Sequence, residues 1–96
     1  MGKGVFSGRA LADVERLHAF LAEKNEAAAA RAVTEIRAAL RTLEQFPASG
    51  RPIEDLPPET REWVVPFGTG AYVMRYRIDA DQVTVMRVRH SREAGF

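Results

Sequence analysis

Three guanidinium groups and an imidazole stand within seven consecutive residues, Met86-Arg87-Val88-Arg89-His90-Ser91-Arg92, with no carboxylate among them. Guanidinium groups hold phosphates and carboxylates through paired hydrogen bonds, and an imidazole, with an ordinary pKa of about 6.5, moves a proton readily near neutrality. Such a set suits capture of an anionic group, with or without proton transfer to it. The bias is local. Residues 1–60 carry eight Lys/Arg against nine Asp/Glu, a balance of −1, and residues 61–96 six against four, a balance of +2, which together give the net charge of +1. A charge is felt over about 10 Å at ordinary salt, so this concentration matters more than the total. Twelve of the fourteen basic residues are Arg, but those before residue 60 alternate with Glu and Asp along helical segments and read as solvated surface.

The elements that must position these groups change period along the chain. From Arg9 to Glu23 the apolar residues Leu11, Val14, Leu17, Phe20 and Leu21 recur every three or four positions, with Ser7 or Gly8 placed to open a helix. Lys24-Asn25 interrupts the pattern with Asn25 as a cap, and Ala27 to Phe46 resumes it through Val33, Ile36, Leu40 and Leu43. The run Ala27 to Ala30 has high helix propensity and a smooth surface, so the two helices can lie close as a hairpin. His18 falls within the first helix and reads as a surface or boundary residue. Pro47, Gly50, Pro52, Pro57 and Pro58 exclude regular helix between 47 and 60, leaving a long connecting loop that could present Arg51. Beyond it Arg61–Phe67, Ala71–Ile78 and Gln82–Arg89 are rich in β-branched and aromatic residues, separated by Gly68-Thr69-Gly70 and Asp79-Ala80-Asp81. Those are three antiparallel strands in two hairpins. Val5-Phe6 is a candidate fourth strand, weakened by Gly2 and Gly4. The expected fold is α+β, a β-α-α-β-β-β chain with the helical hairpin on one face of a sheet of three to four strands.

Alternation in the last two strands then decides where the arginines go. If their turn is odd and Ile78 pairs with Thr84, then Met74, Tyr76, Ile78, Met86 and Val88 share the face that packs on the helices, and Arg75, Arg77, Arg87 and Arg89 share the other. An even turn mixes the two sets. The odd register is expected, because unpaired arginines buried against the hairpin would cost several kcal/mol each. Four arginines on neighbouring strands repel one another unless an anion lies on them. Either Glu54, Asp55, Glu62 or Glu93 supplies it from within, or a phosphate backbone or acidic partner supplies it from outside.

The bulk composition narrows the classes. Ninety-six residues at 46% hydrophobic content make one domain, spanning 1–96. With no cysteine there is no disulfide, thiolate metal site or thiol nucleophile. No apolar run approaches the roughly 18 residues of a membrane span, and the first residues carry no secretory segment, so a cytoplasmic protein without membrane contact is expected. No phosphate-binding glycine loop, metal-ligand cluster or Ser-His-Asp order is present. No cofactor and no metal are expected.

The order of these elements resembles the RelE/ParE superfamily of bacterial toxins, the poison halves of type II toxin–antitoxin pairs, often called plasmid-stabilisation proteins. The resemblance runs over nearly the whole chain. It is carried by Ala10-x-x-Asp13-x-x-x-Leu17, Phe46-Pro47-x-x-Gly50-Arg51-Pro52, Arg61 at a strand start, Tyr72-Val73-Met74-Arg75-Tyr76-Arg77-Ile78, and Val85-Met86-Arg87-Val88-Arg89-His90-Ser91-Arg92-Glu93. It implies a curved sheet with the working surface opposite the helices, and a cognate antitoxin whose acidic and apolar segment wraps the helices and covers the arginines. Two activities follow from it. RelE-like members cut messenger RNA in the ribosome; here Arg61, Arg75 and Arg87 or Arg89 would hold the scissile phosphate, with His90, or less suitably Glu93, moving a proton. ParE-like members inhibit DNA gyrase by binding it, which would fall to Arg75, Arg77, Arg87, Arg89, His90, Arg92 and Phe96. No lysine cluster precedes Arg61, and Phe96 stands where a proton-transferring tyrosine would be sought, so the ParE-like activity is preferred. A member that only binds its antitoxin is a third reading.

Overall fold

Two side-chain caps start the helices where the sequence places them. In the computed structural model, which describes residues 2–96, strand β1 (Lys3–Phe6) leads into helix α1 (Gly8–Ala22), whose cap Ser7 accepts a hydrogen bond from the Ala10 N–H at 3.1 Å. Asn25 does the same for Ala28 at 2.9 Å at the start of α2 (Glu26–Gln45). A 3-10 turn (Pro47–Ser49) and a two-residue strand β2 (Arg51–Pro52) occupy the stretch read as irregular. The long strands β3 (Thr60–Phe67), β4 (Gly70–Asp79) and β5 (Gln82–His90) follow. The sheet has five strands in the order β1-β5-β4-β3-β2, antiparallel except that β1 runs parallel to β5.

The α+β architecture with its helical hairpin on the sheet is as expected, and β2 and the parallel β1 extend it. Both glycines of the first segment have a packing reason. A Cβ on Gly4 would lie 2.7 Å from the Glu44 side chain and 2.8 Å from Leu40, and one on Gly2 2.9 Å from the Asp81 carbonyl oxygen. The Gly4 N–H donates to Glu44 Oε2 at 2.7 Å, so α2 closes the outer edge of β1. The core lies between the helices and one sheet face, built from Ile36, Leu40 and Leu43 of α2 against Met74, Tyr76, Val83, Val85 and Val88. Ala10, Asp13 and Leu17 are the buried residues of α1. Leu11 and Phe20, expected in the apolar stripe, are 50% and 60% exposed. The stripe is rotated because α1 lies across the end of β5, so small Ala10 and charged Asp13 meet the sheet instead.

The β4–β5 turn corrects the expected register. The turn is the two-residue Ala80-Asp81, so Ile78 pairs with Val83, not Thr84, and Tyr76 with Val85. Continued unbroken, that pairing would send Arg87 and Arg89 inward after Val83 and Val85. A β-bulge intervenes. Met86 is left without a partner, and beyond it Arg75 pairs with Arg87, Val73 with Arg89 and Met74 with Val88. One extra residue thus puts Val88 in the core and both arginines on the open face, as the cost of burying unpaired guanidinium groups requires.

Candidate functional site: a guanidinium face and the groove behind it

Arg75, Arg77, Arg87 and Arg89 share the sheet face away from the helices. Arg75 and Arg87 are cross-strand partners, a like-charge pairing that needs compensation. Glu62 of β3, opposite Arg75, lies 3.5 Å from it and 3.2 Å from Arg51. Arg77 pairs with Asp79 at 2.8 Å in an exposed contact. Arg87 turns to the sheet edge and meets Asp13 at 2.9 Å. Among the described residues, of the internal carboxylates expected to neutralise this face Glu62 forms a direct ion pair with it and Glu93 acts on Arg87 through its charge, while Asp13 and Asp79 supply the other ion pairs. Arg89 has no carboxylate partner among the described residues. Its guanidinium makes only long bonds to the carbonyl oxygens of His90 and Glu93, at 3.3 and 3.4 Å. The Phe96 ring sits among these groups, its centroid 4.7 Å from the Arg75 guanidinium, 5.3 Å from that of Arg89 and 5.6 Å from that of Arg87. Its π-face separates like charges that would otherwise repel.

Asp13 organises the edge of β5. β1 pairs with β5 only as far as Val85, and side chains take over where it stops. Ser7 Oγ donates to the Met86 carbonyl at 3.0 Å, Asp13 Oδ2 accepts from the Val88 N–H at 2.8 Å, and Glu93 Oε1 accepts from the His90 N–H at 2.8 Å. Burial pushes the Asp13 carboxyl up, but hydrogen bonds from Arg87 and the Val88 N–H, with the charges of Arg87 and Arg16, outweigh it and hold the group below the usual carboxylate range. Glu93 is lowered in the same way: burial raises it, and the His90 N–H, the hydrogen bond from Arg16 and the Arg16 charge more than offset that. The sequence signal for Asp13 was its place at helical spacing between Ala10 and Leu17, the buried stripe of α1, where a carboxylate must have a partner.

The remaining candidates lie elsewhere. Arg61 faces the packed side opposite Tyr76, and its guanidinium donates to the carbonyl oxygens of Ala48 at 3.3 Å and Gly50 at 2.9 Å. Tyr76 completes this arrangement: its hydroxyl donates to the Pro47 carbonyl at 2.6 Å and accepts from the Gly50 N–H at 2.9 Å. A Cβ on Gly50 would lie 2.4 Å from that hydroxyl, which explains the glycine after the Phe46-Pro47 step. Arg61 therefore holds the 3-10 turn in place. His90 pairs with Tyr72 on the helix side of the sheet and packs edge-on against its ring, 5.4 Å between centroids. His90, Arg92 and Glu93 line a groove of about 670 Å³ between α1 and the β3–β4 turn, behind the guanidinium face. The Arg92 N–H donates to His90 Nδ1 at 3.1 Å, leaving Nε2 to carry the proton of the neutral ring. The structure thus gathers Arg75, Arg77, Arg87, Arg89 and Phe96 on one side and His90, Arg92 and Glu93 on the other.

A helical hairpin on a small open sheet with a cationic free face defines a class of compact α+β proteins. Residues 5–95 match the family model described as the ParE toxin of type II toxin–antitoxin system, parDE, and the chain belongs to that family. It is 42% identical over 87 residues to Toxin RelE1 of Caulobacter vibrioides, covering 91% of this chain and 90% of that protein. Toxin RelE3 of the same organism is 35% identical over 85 residues, covering 88% and 89%. A solved structure titled as the chromosomal ParDE TA system from P. aeruginosa superposes with a TM-score of 0.70 at 16% identity, over 94% of this chain and 96% of that one, and shares the fold. The protein is therefore a type II toxin of the RelE/ParE superfamily, and membership implies a cognate antitoxin. No helix among the described residues is long and apolar enough to cross a membrane.

Proposed function

We propose that this toxin arrests growth by binding DNA gyrase through its guanidinium face, and that it does not cut nucleic acid. One observation carries the reading. His90, the imidazole nearest the arginine cluster, lies on the opposite side of the sheet from Arg75, Arg87 and Arg89, so the proton carrier and the phosphate-holding groups do not meet at one reacting atom. Three of the four arginines also hold carboxylates, which suits a preformed docking surface for an acidic protein patch more than a phosphate clamp. Arg89 and Phe96 form its least committed part and are the natural contacts for a target. An antitoxin silences the toxin by coupled folding and binding.

Ribosome-dependent cleavage of messenger RNA is the second reading, supported by the RelE names of the two Caulobacter relatives. Both are tested on one preparation. Purified toxin should block gyrase supercoiling and leave messages intact with or without ribosomes, and His90→Ala should inhibit growth as well as the native chain does. Message cleavage on ribosomes, abolished by His90→Ala, would reverse the assignment.

A further inference from the structure

Two exposed surfaces at opposite ends of β3 complement each other chemically. At one end lies the groove between α1 and the β3–β4 turn, lined by the apolar side chains of Leu17, Phe20, Phe67 and Tyr72. Its rim is cationic. Arg16, Lys24 and Arg92 stand there against one carboxylate, Glu93, whose oxygens already accept from Arg16 at 2.6 Å and the His90 N–H at 2.8 Å. Lys24 and Arg92 form no ion pair among the described residues, and the Phe20 ring, with Lys24 Nζ 4.5 Å from its centre, is 60% exposed. At the other end lies the loop Ile53-Glu54-Asp55-Leu56-Pro57-Pro58-Glu59. Leu56 is 41% exposed there, and Glu54, Asp55 and Glu59 are exposed around it with no ion pair among the described residues. Hydrogen bonds give this loop a fixed shape. The Leu56 N–H donates to the Ile53 carbonyl at 3.2 Å across a corner where Asp55 has φ 67°, and the Thr60 N–H donates to the Pro57 carbonyl at 2.9 Å. The groove lacks an apolar anchor flanked by carboxylates, and the loop presents one.

We infer that the toxin associates with itself head-to-tail, the 53–59 loop of one copy seating in the groove of the next. Leu56 enters beside Phe20, and Glu54, Asp55 and Glu59 meet the cations of the rim. The contact cannot close within one chain. Thr60 follows the loop and Phe67 lines the groove, and the eight residues of β3 hold these ends roughly 23 Å apart at about 3.3 Å per residue. Charge selects this arrangement over a groove-to-groove pairing, which would set Arg16, Lys24 and Arg92 against their own counterparts. Because loop and groove are different surfaces, each pair keeps one of each free and takes up further copies. One leucine and a few rim charges make a small interface, so association is weak, needs high chain concentration and is sensitive to salt. None of Arg75, Arg87 and Arg89 takes part, which leaves the contact independent of the proposed gyrase docking.

The test is sedimentation equilibrium of the purified full-length toxin over a wide range of concentration. The average mass of the native chain should rise with concentration and return to that of the monomer in about 1 M salt, where charges are screened beyond about 3 Å. Lys24→Glu spoils the groove and Leu56→Ser the loop; both side chains are exposed, and unchanged circular dichroism verifies the folds. Each variant alone should associate about ten-fold or more weakly, the loss characteristic of an interface anchor. Mixed in equal amounts they should form a one-to-one pair and nothing larger, because the intact loop of the first meets the intact groove of the second and both remaining sites are spoiled. Arg77→Glu, on the guanidinium face, should leave association within about two-fold of native, as expected of a distant site. A native chain that stays monomeric throughout, single variants that associate as the native chain does, a mixture that fails to pair, or an equal loss in Arg77→Glu would each overturn the inference.

Discussion

Replacing Asp13 tests the edge of β5 quantitatively. In Asp13→Ala the Val88 N–H, buried and bonded to Oδ2 at 2.8 Å, loses its acceptor, and Arg87 loses both of its side-chain bonds to the carboxylate. An unsatisfied buried N–H costs about 1–3 kcal/mol, and the lost charge-assisted bonds raise the total to about 2–4 kcal/mol, with the half-exposed Arg16 contact adding almost nothing. For a domain of this size that is a fall in Tm of roughly 10–25 °C. Asp13→Asn keeps an oxygen for Val88 and should lose about half as much. The pH dependence separates charge from shape. Because the native Asp13 carboxyl lies below its unfolded value, its contribution is fully present above the ordinary carboxylate pKa of about 4 and disappears as pH falls through the native value. The Tm gap between the native chain and Asp13→Asn should therefore hold steady from pH 8 to about pH 5 and narrow below about pH 4; the Asp13 charge raises Glu93, so Glu93 titrates lower in Asp13→Asn and shapes the acid end of the curve. A gap absent at pH 7, or undiminished at pH 3, would refute the account.

Three further outcomes are expected. Tyr76→Phe removes the hydroxyl that joins the Pro47 carbonyl to the Gly50 N–H and should cost about 1–3 kcal/mol in urea unfolding, with earlier hydrogen exchange confined to residues 47–52. Ala80 has φ 45° in the β4–β5 turn, so Ala80→Gly should stabilise the chain by about 1 kcal/mol, read as a rise in Tm of a few degrees. Arg89→Glu reverses the arginine of the open face that has no carboxylate partner among the described residues; it gives up two long carbonyl hydrogen bonds and the Phe96 contact but no ion pair, and should relieve growth inhibition at least ten-fold in inducer titration while Tm falls by no more than a few degrees.

What the sequence disclosed was the part governed by local rules. Ser7 and Asn25 cap by side-chain chemistry, the long strands announce themselves by alternation, and the arginines share a face because burying them is expensive. Close approach between distant segments left little trace. Gly4 yields to α2 and Gly50 to Tyr76, neither of which spacing along the chain reveals. The bulge at Met86 has no signal in turn length, which sets the register only as far as Val85. His90 and Arg61 looked like members of the cationic set, but each alternates onto the helix side, where one packs on Tyr72 and the other binds backbone carbonyls.

The bulge also divides β5 into two halves with different tolerances. Before it, Val83 and Val85 are locked between β1, β4 and the helices, and any change there is a packing problem. After it, the outward positions 87 and 89 project from a backbone whose edge is held by Ser7, Asp13 and Glu93 instead of another strand. Position 89 in particular faces away from the hydrophobic interior, so under the proposed docking role this scaffold can vary its contact residue while keeping how it folds.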